Sequence, residues 1–567
     1  DTAAFDTVYG WAAGKALTTG DSNTFMGYLA GAAVTTGSAN IMIGFSAGDG
    51  HDTETHNLGI GSSALGGAVA GGEFNVAIGN YSLDALTSGD KNTAVGYNAG
   101  TAITTGSENT VIGEGALATN TTSSYNTAVG HTALAANTGA ANTAVGRDAL
   151  EANTTGGSNT AVGYDALEAN TDADGNTAVG HSALKANTGA SNVAVGTDAL
   201  KANTTTTGNV AVGFEAGKIV TDGAGILAIG YRAYDNADNE DHNLAIGFNA
   251  LGGAVNGGEN NVAIGNYSLD ALTTADYNTA VGYAAGSAKT SGNHCTFIGY
   301  DAGLNCTTGT DVTFVGSEAG DGHDTESYNT GVGSGALGGP IAGGEYNVAV
   351  GTYTLDALTS GDQNTAVGYN AGTSVTTHSD GVFIGWKAGD NAVTGGRNIC
   401  IGANVDPSSN NGEGQINIGY NFSGNGDNKV ALGSNDGYIW NSFTQNNTWT
   451  AVSDIRTKKN IEADNLGLDF INELKPVTFN WRKADEIDPE FIKSTLNIGR
   501  GERDSEVLIH GLIAQEVKAA MDKVGNTTFN GWEEGVDGQA VSREMFITPL
   551  IKAIQELSAK VKALEEA

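Results

Sequence analysis

The residues best placed to do chemistry lie toward the C-terminal end, in Val452-Ser453-Asp454-Ile455-Arg456-Thr457-Lys458-Lys459-Asn460-Ile461. A serine five residues before a lysine supplies the two groups of a Ser/Lys dyad, a hydroxyl nucleophile and an amine base. The amine works as a base only if burial or a neighbouring cation lowers its pKa, and Arg456 and Lys459 are the neighbouring cations. By itself, Ser-x-x-x-x-Lys is equally a polar linker.

Three other sets of residues invite a chemical reading. Asp49, His51 and Asp52, in Asp-Gly-His-Asp-Thr-Glu, could ligate a divalent cation, and the hexapeptide returns at 321–326. No calcium-loop spacing follows either copy, so a solvated acidic loop is expected, with no metal. Asp84, Asp270 and Asp356 could serve as glycosidase carboxylates, yet they occupy equivalent places in duplicated blocks (56–100, 242–286 and 328–372), which favours a repeat-structural role. Tyr81, Tyr267, Tyr353 and Trp386 are either sugar-stacking platforms on the surface or packing beneath the longer coils.

The elements that must position these groups change abruptly along the chain. Residues 1–453 carry 11 basic and 42 acidic side chains and 77 glycines, whereas 454–567 carry 15 basic, 21 acidic and 8 glycines. A net charge of −37 argues against binding nucleic acid or an anionic membrane, both of which need cationic patches. No apolar run is long enough to span a bilayer. Residues 1–20 lack the basic and apolar regions of a signal peptide, and a chain starting at Asp1 without Met is expected to be a processed or truncated piece. Cys295, Cys306 and Cys400 show no metal-ligand spacing and do not make the count of a disulfide framework. They are expected to be small buried residues, with a Cys295–Cys306 bridge as the alternative.

Alignment on Asn-x-x-Val/Ile-Gly gives 23 rungs between Asn23 and Asn398, at a step of 17 residues, occasionally 16 or 18. A period this short means a solenoid. The fourth position, as in Val145, Val162 and Val179, is expected to be the strand residue that points inward, and the fifth, Gly, to form a tight corner. The leading Asn is expected to bond to backbone or to stack in a ladder. Helix is excluded by Gly and Asn every few residues. These rungs resemble the head repeats of trimeric autotransporter adhesins. That resemblance implies parallel β-rolls packed in threes, and the small Ala and Gly positions are expected to form the seam.

Downstream of Ser453 come Leu468-Asp469-Phe470-Ile471-Asn472-Glu473-Leu474-Lys475-Pro476-Val477, then Phe479 and Trp481, then His510-Gly511-Leu512-Ile513-Ala514-Gln515-Glu516-Val517. In this order the blocks resemble the auto-cleaving intramolecular chaperone domain that ends many phage tailspikes and tail fibres. The resemblance implies Ser453 as nucleophile, Lys458 as base, Asp454 on the leaving side, and cleavage after trimer assembly. His510 is expected to be a structural core residue. Ile547, Leu550, Ile554, Leu557, Val561 and Leu564 alternate in steps of three and four, a coiled-coil seam over 547–567.

The expected protein is mainly β. A connecting segment (1–22) leads into a parallel β-roll or β-solenoid trimeric shaft (23–435), a junction (436–453), and a small α+β chaperone domain (454–567) ending in a coiled-coil helix. The expected function is a homotrimeric phage tail fibre or tailspike that binds a host-surface glycan or protein receptor and meets other tail proteins at its N-terminal side. It would be made in the host cytoplasm and located in the virion tail. Self-cleavage is the only catalysis expected, without cofactor; a polysaccharide depolymerase and a bacterial trimeric adhesin are the alternatives.

Overall fold

The computed structural model describes residues 5–68, 70–443, 450–451, 461–480, 508–535 and 538–567. The chain divides into two compact units, residues 1–452 and 453–567. The first is a parallel β-solenoid. Its first 24 strands are three residues long, from Thr7–Tyr9 to Ile399–Ile401, each paired in parallel with the next. Ile416–Tyr420 and Lys429–Ser434 extend the ladder, and the antiparallel strands Gly437–Ser442 and Thr450–Ala451 end it. Coil length varies without disturbing this register. Thr127 pairs with Thr143, Thr160 with Thr177 and Leu58 with Val76, so coils of 16, 17 and 18 residues all return their strands to the same place. The extra residue is absorbed in the turns.

Which side chains face inward follows from the period of two along a strand. Asn at position one and the residue at position three share the inner face; both Asn159 and Ala161 are buried. Positions two and four must then face out. Val145, Val179 and Val195 are 36–37% exposed, which corrects the expectation that position four fills the interior. The same parity places the small Ala inside, so the Ala/Gly face cannot be a seam.

The interior column of asparagines carries the coil-to-coil hydrogen bonds. The backbone N–H of Asn159 donates to Oδ1 of Asn142 at 2.9 Å, and its own Nδ2 donates to the carbonyl of Ala173 at 2.8 Å. In the next coil the Asn176 N–H likewise donates to Asn159 Oδ1. Where Asn is replaced by Ile226, Cys295 or Gly381, the backbone N–H still donates to the preceding amide. At position twelve a second column, including Asn153 and Asn170, runs through the middle coils and is cross-bonded at 2.8 Å.

Glycine at position five is required twice over. Gly163 has φ +144°, and a Cβ there would stand 2.3 Å from the carbonyl oxygen of Gly180 in the next coil. Glycine at position nine has a different cause, which is volume. Coils with a large residue at position three (Phe25, Met42, Phe297, Phe314, Phe383) have Gly at position nine (Gly31, Gly48, Gly303, Gly320, Gly389), and a Cβ there would strike that large side chain at under 3 Å. Most coils with Ala at position three have Leu at position nine instead, as in Ala161 with Leu167. Those leucines adopt φ near +50°, as do Leu150 (54°) and Leu184 (50°). This conformation costs on the order of 1–2 kcal/mol per residue, offset by burying an aliphatic side chain, which contributes about as much or more.

Cys295, Cys306 and Cys400 are buried free thiols, so the bridge is not formed. Burial pushes the Cys306 and Cys400 thiols up to about 11 and about 12. Three histidines are also interior. His51 and His323 occupy position twelve, and His323 packs 4.5 Å from the Phe314 ring. His378 bridges the amide column: its Nδ1 donates to Asn364 Oδ1 at 3.2 Å and its Nε2 accepts from Asn398 Nδ2 at 3.0 Å.

Replacing Asn159 by Ala leaves the Asn176 N–H unpaired in the interior, which costs about 1–3 kcal/mol, and removes one of two side-chain donors from the Ala173 carbonyl, which keeps Asn170 Nδ2 at 3.1 Å. The thermal midpoint of Asn159→Ala should fall well below that of Thr160→Ala, which changes an outward position. Burial lowers the pKa of His51, His323 and His378 to about 4 from an ordinary 6.5. Between those pH values the unfolded chain binds protons that the folded chain refuses, so stability rises with pH. Each histidine therefore contributes about 3 kcal/mol above pH 6.5 that is lost as pH falls to about 4. Asp406, pushed up to about 6 by burial, works in the opposite sense. The readout is therefore a comparison: a His51→Leu/His323→Leu variant should lose less thermal stability between pH 7 and pH 4 than the parent chain.

Candidate functional site

Ser453, Asp454 and Lys458, with Arg456, Lys459 and Trp481, lie outside the described residues. The described part of the second unit shows what the downstream blocks build. Helix Leu468–Glu473 buries Phe470, strand Val477–Phe479 pairs antiparallel with Ile509–Gly511, and helix Ala514–Lys523 buries Val517, Ala520 and Met521. Phe470, Phe529 and Phe546 form an aromatic cluster with centroids 4.9–6.1 Å apart. A hairpin, Trp532–Gly535 with Gly538–Val541, and helix Ile547–Glu565 complete the unit. Glu556 on that helix accepts the N–H of Leu468 at 2.8 Å, and Lys523 pairs with Glu473 at 2.7 Å.

Two expectations resolve here. His510 sits in the two-stranded sheet opposite Thr478 with its side chain exposed, so it is not a core residue. A three-residue strand buries only one face, and the chain on either side of His510 takes that face. The C-terminal helix turns Pro549 and Ala553 inward and leaves Ile547, Leu550, Ile554, Leu557, Val561 and Leu564 between 44% and 78% exposed. Among the described residues nothing covers this apolar row at heptad spacing.

The candidate groups on the coils take structural places. His51 is interior and Glu54 is nearly so, with Glu54 accepting the N–H groups of Asp52 and Gly71. The hexapeptide is thus a turn that sends His51 and Glu54 inward while Asp52 and Thr53 stay exposed, so it is a solvated loop only in part. Asp84, Asp270 and Asp356 each lean over a glycine of the preceding coil. A Cβ on Gly66, Gly252 or Gly338 would stand 2.7, 2.9 or 3.0 Å from the carboxylate oxygen. Burial raises all three pKa values, and the charge of Asp49 raises that of Asp84 further. The recurrence of the aspartate with the 18-residue coil thus has a packing explanation.

Tyr81, Tyr353 and Trp386 are surface residues at 42–51% exposure, and Tyr267 is half-buried. Reasoning from sequence missed the larger feature around them, a ladder of outward aromatics after the position-five glycine. Phe214, Tyr231 and Phe248 stack at 5.1–5.2 Å, and Trp11, Tyr28 and Phe45 at 4.8–5.1 Å. The signal was present in the recurrence of an aromatic at position six. Tyr267 interrupts the ladder, turned 62° from Phe248 and 79° from Tyr283.

No curated protein and no solved structure is significantly similar to the chain. Residues 453–526 match a protein family described as chaperone of endosialidase, and the match begins at Ser453. A chaperone-of-endosialidase domain following a long parallel β-solenoid fits an endosialidase-type tail fibre that carries its own intramolecular chaperone.

Proposed function

We propose that the chain is the subunit of a homotrimeric phage tail fibre or tailspike whose C-terminal domain assembles the trimer and then releases itself at Ser453. The observation that carries this reading is the order of parts: a solenoid of 24 three-residue strands, then the chaperone-of-endosialidase match from residue 453. A parallel solenoid is a non-local fold whose pairing is slow and must start in one register. A C-terminal element that gathers three chains removes that search. The uncovered apolar row on Ile547–Glu565 is the piece of the second unit suited to that task, as a three-stranded coiled coil.

In the proposed release step Ser453 Oγ attacks the peptide carbonyl at or beside Ser453-Asp454, an ester to Oγ forms as the C–N bond breaks, and water then hydrolyses that ester. Lys458 removes the hydroxyl proton and returns it to the leaving amine, and Asp454 lies on the leaving side. For Lys458 to be neutral its pKa must fall, through burial on trimerisation or through the charges of Arg456 and Lys459. Once the connection is cut, a shaft that unfolds has lost its template, so the trimer persists through a high unfolding barrier. The exposed coil surface would meet a glycan or protein receptor on the host, in a protein made in the host cytoplasm and carried on the virion tail. The packing role found for Asp84, Asp270 and Asp356 leaves no observation favouring a depolymerase.

Wild-type protein should run on a denaturing gel as a shaft fragment plus a fragment the size of residues 454–567. Ser453→Ala and Lys458→Ala should each leave one full-length band while still forming trimers by light scattering. An intact wild-type chain after complete trimerisation would make the domain a permanent cap. Deleting residues 547–567 from the expressed chain should abolish the trimer and leave poorly soluble material. A normal trimer from that truncation would exclude the helix as trimeriser.

A further inference from the structure

The outward face of the three-residue strands is unlike the rest of the shaft surface. From Thr24–Met26 to Ile416–Ile418, position two is Thr, Val, Ile or Leu and position four is Val, Ile or Met, without one charged residue. The chain around this stripe carries a net charge of −37. Its ionic groups are displaced into the turns, where pairs such as Lys185 with Asp165 and Arg232 with Glu215 sit 2.6–2.7 Å apart. A strip of β-branched side chains, about a third exposed over the whole ladder, is much larger than the apolar patches that single folded chains leave open.

We infer that this strand face is the seam along which three copies of the chain pack against one another. The inference rests on the trimeric reading above and names the surface that makes the trimer. Three observations favour another copy over any other occupant. First, pitch: coils of 16, 17 and 18 residues all keep the strands in one register, so the stripe is a ladder of one strand per coil throughout. Only a partner with the same spacing can match it from end to end, and a second copy has that spacing by construction. Second, charge: two strongly acidic chains repel each other everywhere except along their uncharged strip. Third, area: about 24 coils at about 4.8 Å each, with strands about 10 Å wide, give roughly 1,100 Å² per chain. Shared among three pairwise contacts, the strips bury roughly 1,100 Å² in each and roughly 3,300 Å² in the trimer, close to the roughly 1,200 Å² at which specific stable interfaces begin.

The chemistry of the stripe argues against the other candidates. A sugar would find hydroxyl-bonding groups only at the Thr positions, and the neighbouring aromatics, such as Phe214, Tyr231 and Phe248, cover one another's faces by stacking. An anionic membrane would meet no basic residue on the stripe. Flat apposition of three such strips puts β-branched side chains together in a dry, interdigitated column.

The test uses the full chain with single cysteines on the stripe, Thr177→Cys and Val179→Cys, and a control in a turn, Glu151→Cys. The three native cysteines are buried. Oxidation of the purified trimer should link chains through at least one stripe position and not through residue 151, and the stripe thiols should react with a maleimide at least tenfold more slowly than the control. A triple variant, Val162→Asp/Val179→Asp/Val195→Asp, should lose the trimeric shaft by light scattering while keeping its β-type circular dichroism, because these side chains point away from the coil interior. A trimer of the Thr177→Cys or Val179→Cys chain whose stripe thiols stay open to maleimide and unlinked would overturn the seam and leave the trimeric reading standing. A triple variant that trimerises normally along the shaft would do the same. A monomeric wild type would overturn both readings.

Discussion

The structure depends on one interaction, the hydrogen bond from the backbone N–H of most coils to the Asn Oδ1 of the coil before it, interrupted after Ile226, Cys295, Val312 and Gly381. A coil this narrow has little apolar volume: its inner strand residue is usually alanine, and one or two larger side chains, such as Leu167 or Phe314, fill most of what remains. The amide column supplies what the core lacks. It also fixes direction and phase. An amide that accepts from one coil and donates into a carbonyl fourteen residues ahead, as Asn159 does, admits one stacking register only. A buried polar column is costly when incomplete and specifying when complete, so every coil must conform to its neighbours.

From that column the other regularities follow by parity and by volume. Asn inward at position one forces position three inward and positions two and four outward. A small inner residue admits Leu at position nine, whereas Phe or Met requires Gly there. The glycine at position five lies against a carbonyl of the next coil and cannot carry a side chain. Ionic residues, absent from the outer strand face, collect mostly in the turns, and the few drawn inward, such as Lys289 and Glu54, are hydrogen-bonded to backbone. The apolar outward strip thus follows from how the interior is filled, and it is also the face best suited to self-association.

Much of this was legible in the sequence. The repeat, its strand, the glycine corner and the amide ladder all declare themselves through spacing. The inward residue did not, because β-branched Val162 and Val179 suggest a core, and only the burial of Asn fixes the parity that turns them outward. The positive-φ leucines were illegible for a related reason: propensity assigns left-handed corners to Gly and Asn, while here tertiary packing imposes them on Leu150 and Leu184. His51 and His323 sit in acidic, loop-like stretches, and nothing local reveals that position twelve is interior. In the C-terminal unit the ordered blocks resembling a chaperone were readable. The exposure of His510 was not, since a three-residue strand does not announce which face it covers.

The antiparallel strands Gly437–Ser442 and Thr450–Ala451 have a consequence for how such a sheet behaves in a crowded cell. A parallel solenoid has two open edges, each offering unpaired N–H and C=O groups to any extended segment that passes. At this end the chain reverses twice: Gly437–Ser442 runs against the last parallel strand, and Thr450–Ala451 runs with the ladder again, paired only to Ile439 and Trp440. Among the described residues the last strand at that end is thus two residues long, a short edge of the kind that gives an extended segment little to pair with.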